Sequence, residues 1–509
     1  MKKIIFAILI TTSLLGCKKY LDVNEDPKTP QVVTAESLLP HMLSSIGNNI
    51  AFDARYTSRY IQNFGTTSNT SSNISEQHDT PFPGGGDLWL NHYLKLGKAV
   101  DQMIFDATTN EKWFYAGIGK ALRAWSWQTC TDRYSEMILK EAWIDNKYIF
   151  NYDSQQEIYA EVKKNCFEAI AFFNKISTKT ILPASDQMFA GDKNKWVKFV
   201  YGILARNAHN LANKAGYDPI KVIEYCDLSM ASNTDNAAID YLSTIAGNAH
   251  FFGFLRGNLT TTTQSGTIVR MLNGYYRSVS VVDPRINIML VKSADGNYYG
   301  AEATYGDPNI AATVAPASLK KIPTLQGVTS GNGANRYLFK DPVKWPIMSY
   351  SEIQFIKSEA AFKGNDFPKA FDAYKKGIDA NFDFVNSYLT APAVAVTAAQ
   401  KTSFLASTSV AQTQGDLRLS DIMCQKYIAL WGWGFEQTWA DMRRHHYDTM
   451  VYKGYTILDP TRLATNNGGQ LAYRFKPQTT EFSYNVAALQ AIGAFAPNYH
   501  TKEMWFSQP

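Results

Sequence analysis

Eight side chains in this sequence are of the kind that grip a ligand without transforming it. His78, Asp79, Phe82 and Trp89 fall within the stretch from Asn63 to His92, and Tyr275, Tyr276, Tyr298 and Tyr299 form two adjacent pairs farther on. A sugar presents apolar C–H faces and a rim of hydroxyls. Its site therefore needs a flat aromatic beside Asn, Asp, Arg or Gln groups. Each candidate also has a plainer use. Trp89 opens WLNHYLKL, a run that begins a helix, so core packing competes with ligand contact on even terms. Tyr298 and Tyr299, flanked by Asn297 and Gly300, are expected to be exposed.

Reaction chemistry leaves no comparable trace. The sequence has no GxSxG, no HExxH and no phosphate-loop lysine motif. Gly84-Gly85-Gly86 is followed by Asp87 rather than Lys and is simplest as a flexible loop. His445 and His446 are adjacent, so on a helix they point about 100° apart and share a metal poorly. With Arg443 and Arg444 they are expected to form a solvated or capping helix end. Asp and Glu are scattered, with no pair standing out for glycoside hydrolysis. No catalytic residue, metal site or cofactor is expected; a calcium ion bracing the loops is left open.

The 509 residues are enough for a large core. Net charge is +5, with Lys2 and Lys3 among the cations and no long Lys/Arg run, which argues against nucleic acid as a partner. Charged residues make up only 19% and aromatics 13%. Most of the aromatics are needed for the core, and the surplus of Tyr and Trp suits stacking on neutral ligands. Cys130, Cys166, Cys226 and Cys424 lie 36, 60 and 198 residues apart, matching no zinc or redox spacing. Three of them fall in helical patterns and read as buried small hydrophobes.

Cys17 is different. The chain opens MKKIIFAILITTSLLGC: a basic start, then an apolar run from Ile4 to Leu15. Leu14-Leu15-Gly16-Cys17 resembles the lipobox of bacterial lipoproteins, with Leu15 bulkier than usual at its position. The reading is a signal peptide over 1–16, removed on export, and a Cys17 that carries acyl chains. Later apolar runs all fall short of the about twenty residues that a membrane-spanning helix needs.

The elements that must position the candidate residues follow from periodicity. Residues 17–36 form a polar, Pro-containing tether, and Ser37 to Arg59 reads as an amphipathic helix. A Ser/Thr/Asn/Gly-rich stretch over 65–87 reads as a long surface loop, of the kind that carries function. Helical patterns dominate 88–230, with segments over 113–139, 155–176 and 219–230. In KWVKFVYGILARNAHNL, Trp196, Phe199, Val200, Ile203, Leu204, Asn207 and Leu211 recur at three- and four-residue spacing. Residues 231–345 are a loop-rich insertion with a few short strands. Helices return at Ser349 to Ala380 and about 416–446. The whole of 37–509 reads as one domain. KGNDFPKAFDAYKKGID (363–379) carries the turn and packing residues of a tetratricopeptide repeat at Asp366, Phe367, Ala370 and Tyr374, with small Ala361 in the helix before.

Two runs then point to a family. PVKWPIMSYSEIQFIKSEAAFKGNDFPKAFDAYKKGI (342–378) and QKYIALWGWGFEQTWADMRRHHY (425–447) resemble the signatures of SusD/RagB outer-membrane lipoproteins, and of their starch-binding-protein-like subgroup most of all. CKKYLDVNEDPKTP, VDPR at 282–285 and the closing NYHTKEMWFSQP fit too. The resemblance implies a mainly α fold: a tetratricopeptide-like helical scaffold with a loop-rich ligand-binding face. It also implies a non-enzymatic, lipid-anchored protein of the outer membrane, exposed on the cell surface. Such a protein captures an oligosaccharide, or in some members a peptide, for a SusC-like TonB-dependent transporter. A secreted glycosidase on a helical scaffold is the more distant alternative.

Overall fold

The computed structural model describes residues 33–67, 75–79, 86–326, 336–390 and 393–509. Cys17, the leader, most of the tether and Phe82 lie outside the described residues. Helix α1 (Ala35–Tyr60) buries Leu39, Met42, Leu43, Ile46, Ile50 and Ala54, a single stripe at three- and four-residue spacing. Strand β1 (Phe64–Thr66) follows, then α2 (Asp87–Leu90), a π-helical turn over Asn91–Gly97, and α3 (Lys98–Thr109).

The scaffold is a stack of helical hairpins. The first is α4 (Trp113–Tyr134) with α5 (Gln155–Phe173), and the second α6 (Lys193–Asn210) with α7 (Pro219–Leu228). The third is α10 (Tyr350–Lys363) with α11 (Phe367–Ser387), numbered after two short helices of the insertion, α8 (Gly266–Leu272) and α9 (Ile286–Met289). The hairpin helices other than α4 carry at their N-termini residues that satisfy free backbone N–H groups. Ser154 and Glu157 make a capping box on α5, Asp192 caps α6, Asp218 caps α7, Ser349 caps α10 and Asp366 caps α11. Two hairpins close by the same device. A Cβ on Gly117 of α4 would sit 2.9 Å from the ring of Phe173, and one on Gly377 of α11 would sit 2.9 Å from the ring of Phe355. Only glycine lets those helices approach so nearly. Adjacent hairpins pack in order, α5 on α6 and α7 on α10, which is how repeat scaffolds bury a continuous core.

The insertion is bracketed by one small sheet. Strand β2 (Ala237–Tyr241) opens it and β4 (Val343–Met348) closes it, paired antiparallel. A second two-stranded sheet joins β1 to β3 (Thr262–Gln264), tying the insertion to the end of α1. One apolar cluster takes in residues from Ala35 to Phe475, drawing on the hairpins and the insertion alike.

Two expectations need correcting. After α12 (Ala398–Leu405), the helical stretch expected over about 416–446 is interrupted: α13 (Leu419–Leu430) and α14 (Phe435–Arg444) are separated at Trp431–Gly434, where Gly432 takes φ +86°. Trp431 and Trp433 are buried packing residues. The Trp431 indole donates to the carbonyl of Asn63, and the Asn63 side chain accepts from the N–H of Gly432. Arg443 and Arg444 are not solvated. Arg443 lies 3.7 Å over Trp439, and Arg444 is enclosed between Glu359 and Asp441. The pattern of the lone helix showed a charged end; Glu359 of the third hairpin encloses Arg444, and Tyr473, Met504 and Phe506 enclose Arg443. Two short α-helices, α15 (Glu481–Tyr484) and α16 (Val486–Ala491), complete the chain with 3₁₀ turns. The cysteines at 130, 166, 226 and 424 are buried, unpaired and on helices.

Candidate functional site

Three loops distant in sequence meet beyond the C-terminal end of α1. The segment 75–79 lies across 464–472. The buried Asn467 side chain donates to the carbonyls of Gln77, His78 and Gln470 at 3.3, 3.2 and 3.1 Å, while its oxygen meets His500 Nε2 at 2.7 Å. Tyr60 donates to the carbonyl of Asp79 at 2.8 Å. The third loop is tied in when Glu76 accepts from the N–H of Thr304 at 2.8 Å. Between 75–79 and 461–466 these loops leave a cleft of about 740 Å³, lined by Gln77, Asp79, Arg462 and Asn466.

The cleft has the make-up of a site for a neutral polar ligand. Arg462 donates to the carbonyl of Thr304 at 3.1 Å, and its guanidinium lies 3.8 Å over the ring of Tyr305, which is 46% exposed. Asn466 donates to the Asp79 carboxylate at 3.3 Å. Among the described residues, Asp79 is the one carboxylate of the lining. Beneath lie two uncharged imidazoles: burial pulls His78 down to about 3 and His500 down to about 4. Such groups bind by hydrogen bonding and stacking.

A second cleft, of about 460 Å³, is lined by Asn287, Lys292, Tyr298, Arg336 and Gln400. The Tyr298 hydroxyl donates to Asn287 at 2.8 Å, and Lys292 sits 5.4 Å from its ring. A third hollow, of about 310 Å³, is aromatic: Trp89, Tyr93, Trp143 and Phe150 line it, with Leu94 at its rim 73% exposed. Trp143 is held at φ +61°, its indole donating to the carbonyl of Tyr93, and it packs against Gly97 of the π turn.

The candidate residues therefore scatter. Asp79 lines the first cleft and Tyr298 the second, both half-buried. Trp89 is 4% exposed and belongs mostly to the core, with one edge in the aromatic hollow. His78 is fully buried, stacked 4.6 Å from Tyr60, and accepts through Nδ1 from the N–H of Ala472. It supports the cleft from below and does not face it. Tyr276 is likewise buried: its hydroxyl donates to Ser409 and accepts from Gln425, leaving nothing for a ligand. Tyr275 is 57% exposed but lines none of the three clefts. Tyr299 is half-buried, its hydroxyl bound to Asp295. Sequence reasoning missed Arg462, Asn466 and Tyr305. Their signal was present: DPTRLATNNGGQ and TYGDPN are turn-rich runs of the same kind as 65–87. Among the described residues no group of three His, Cys, Asp or Glu is placed to hold a metal, and no helix is long and apolar enough to cross a membrane.

This arrangement, a hairpin stack with a loop-rich insertion, is a known one. The chain belongs to the SusD-like family described as starch-binding and associating with the outer membrane, whose model matches residues 27–477. It is similar to the solved structure of a SusD/RagB family protein from Bacteroides thetaiotaomicron, with 22% identity, TM-score 0.72, and coverage of 93% of this chain and 99% of that one. A SusD homologue from Bacteroides fragilis matches at 18% identity and TM-score 0.72, covering 94% and 100%. A chitin-binding SusD homologue from Flavobacterium johnsoniae matches at 17% identity and TM-score 0.66, covering 93% and 98%. These likenesses show the fold. No curated protein matches the chain.

Proposed function

We propose that this chain is a cell-surface glycan-binding lipoprotein that captures oligosaccharides and passes them to a SusC-like TonB-dependent transporter in the outer membrane. Family membership over 27–477, together with the loop-built polar cleft, carries the reading. Cys17 is the lipid attachment point in this reading, and the scaffold keeps the loop face rigid while its side chains choose the ligand. Tyr305 stacks on a sugar ring, while Asp79, Arg462 and Asn466 take up hydroxyls or an acetamide. The chitin-binding neighbour makes N-acetylglucosamine oligomers a first choice of ligand, alongside starch fragments. The protein binds without turnover.

The test is purification from the native outer membrane in mild detergent, followed by titration with chito- and malto-oligosaccharides. Co-purification of a TonB-dependent barrel in near-equal amount, with binding and no product release, supports the proposal. Absence of a barrel removes the delivery role. Binding of peptides in place of glycans overturns the ligand class, and release of shorter sugars overturns the non-enzymatic reading.

A further inference from the structure

A cleft of about 370 Å³ is built by the helical scaffold and shares no lining residue with the loop face. Its cations come from three places: Lys163 on α5, Lys214 in the turn after α6, and Lys221 on α7. Its aromatic surfaces are Tyr217, Tyr225 and Trp505, the last brought in from the C-terminal segment.

The charges do not cancel within the cleft. Among the described residues, Asp218 is the one carboxylate in the lining, and it is engaged in capping α7 by accepting from the N–H of Lys221 at 3.1 Å. Lys221 reaches Glu224 at 2.7 Å outside the lining, and Lys163 makes no ion pair with a described residue. Lys214 is half-buried, 4.5 Å over the ring of Trp505, and donates to the terminal oxygen of Pro509, the last residue of the chain, at 3.3 Å. Burial holds its ammonium below the usual lysine range, the Coulomb pull of Glu503 notwithstanding. A half-dry ammonium beside an indole is stabilised by an anion with a flat or apolar face.

We propose that this cleft binds an acidic saccharide, a uronate, whose carboxylate is drawn by Lys214 and Lys163 and whose ring lies against Trp505. A neutral sugar adds no charge to answer Lys163, and a bare anion leaves the aromatic faces unused. The site stands apart from the loop-face cleft, so the two are lost independently.

The probe is trigalacturonate, titrated into the detergent-solubilised lipoprotein, with its uncharged methyl ester as control. The acid is expected to bind and to change the Trp emission, and to lose about tenfold in affinity as salt rises from about 50 to about 500 mM. Lys214→Gln and Trp505→Ala should each weaken it about tenfold, while Arg462→Ala leaves it unchanged. Should Lys214→Gln lower the melting temperature, the Lys163→Gln/Lys221→Gln double variant carries the test, since both side chains are exposed. No binding, equal binding of the ester, or loss in Arg462→Ala with retention in Lys214→Gln overturns the proposal.

Discussion

The scaffold and the loop face both contain charges, and they use them in opposite ways. Where α6, α10, α13 and α14 meet, Glu359 accepts from Arg444, His209 and His445, and Asp441 pairs with Lys426 and Arg444. Apart from His445 at the margin, every member of that cluster is nearly sealed from solvent. His209 completes it as a neutral ring, meeting Glu359 through Nε2 and the Tyr217 hydroxyl through Nδ1. On the loop face, Asp79, Arg462 and Asn466 are half-buried around open space. Charge in the scaffold is enclosed among ionic partners, and charge on the loop face is half-buried around open space.

The largest effect should come from breaking the enclosed cluster. Glu359→Ala leaves Arg444 buried without its main partner and should cost about 3–5 kcal/mol in denaturant unfolding. A loss below about 1 kcal/mol would mean that water reaches the cluster. Acid should loosen the same region. Burial pulls His209 from 6.5 down to about 4, so the unfolded chain takes up its proton first. For Glu359, burial raises the carboxyl, but Arg444, His209 and His445 outweigh it and hold it well below the usual range. Both contributions are full above pH 6.5. The His209 part fades as pH falls towards 4 and the Glu359 part below the ordinary carboxylate range. Unfolding midpoints at pH 7 and pH 5 should differ, and His209→Gln should narrow the gap.

Smaller changes sharpen the contrast. Gly377→Ala pushes a methyl against Phe355 and should cost about 1–3 kcal/mol. Arg462→Ala and Tyr305→Ala should lower glycan affinity about tenfold by calorimetry, with little change in melting temperature. A large stability loss in either would reclassify that cleft as structure. Least of all, a thiol reagent should label none of Cys130, Cys166, Cys226 and Cys424 until the protein unfolds. All four are buried, and burial pushes each thiol up.

What could be read from the sequence divides along the same line. The stripe from Trp196 to Leu204 and the signature at 363–379 depend on neighbours three and four residues away, so the hairpins were legible. Trp431–Gly434 broke its helix because Asn63, more than 300 residues away, holds the Trp431 indole and the Gly432 N–H. His78 and Tyr276 look like ligand contacts from composition. Their partners, Ala472, Ser409 and Gln425, are invisible to local pattern. The site is a product of loop convergence, and convergence leaves no periodicity.

Asn467 gives that convergence a practical use. It clasps three backbone carbonyls with one amide, so it grips the neighbouring loops without reading their side chains. Residues such as 77, 79, 462 and 466 can then be exchanged while the anchor stays. For protein engineering, this makes the loop face a socket. Retargeting to a new sugar should succeed by swapping those side chains with Asn467 kept, and should fail through a collapsed binding face when Asn467 is changed.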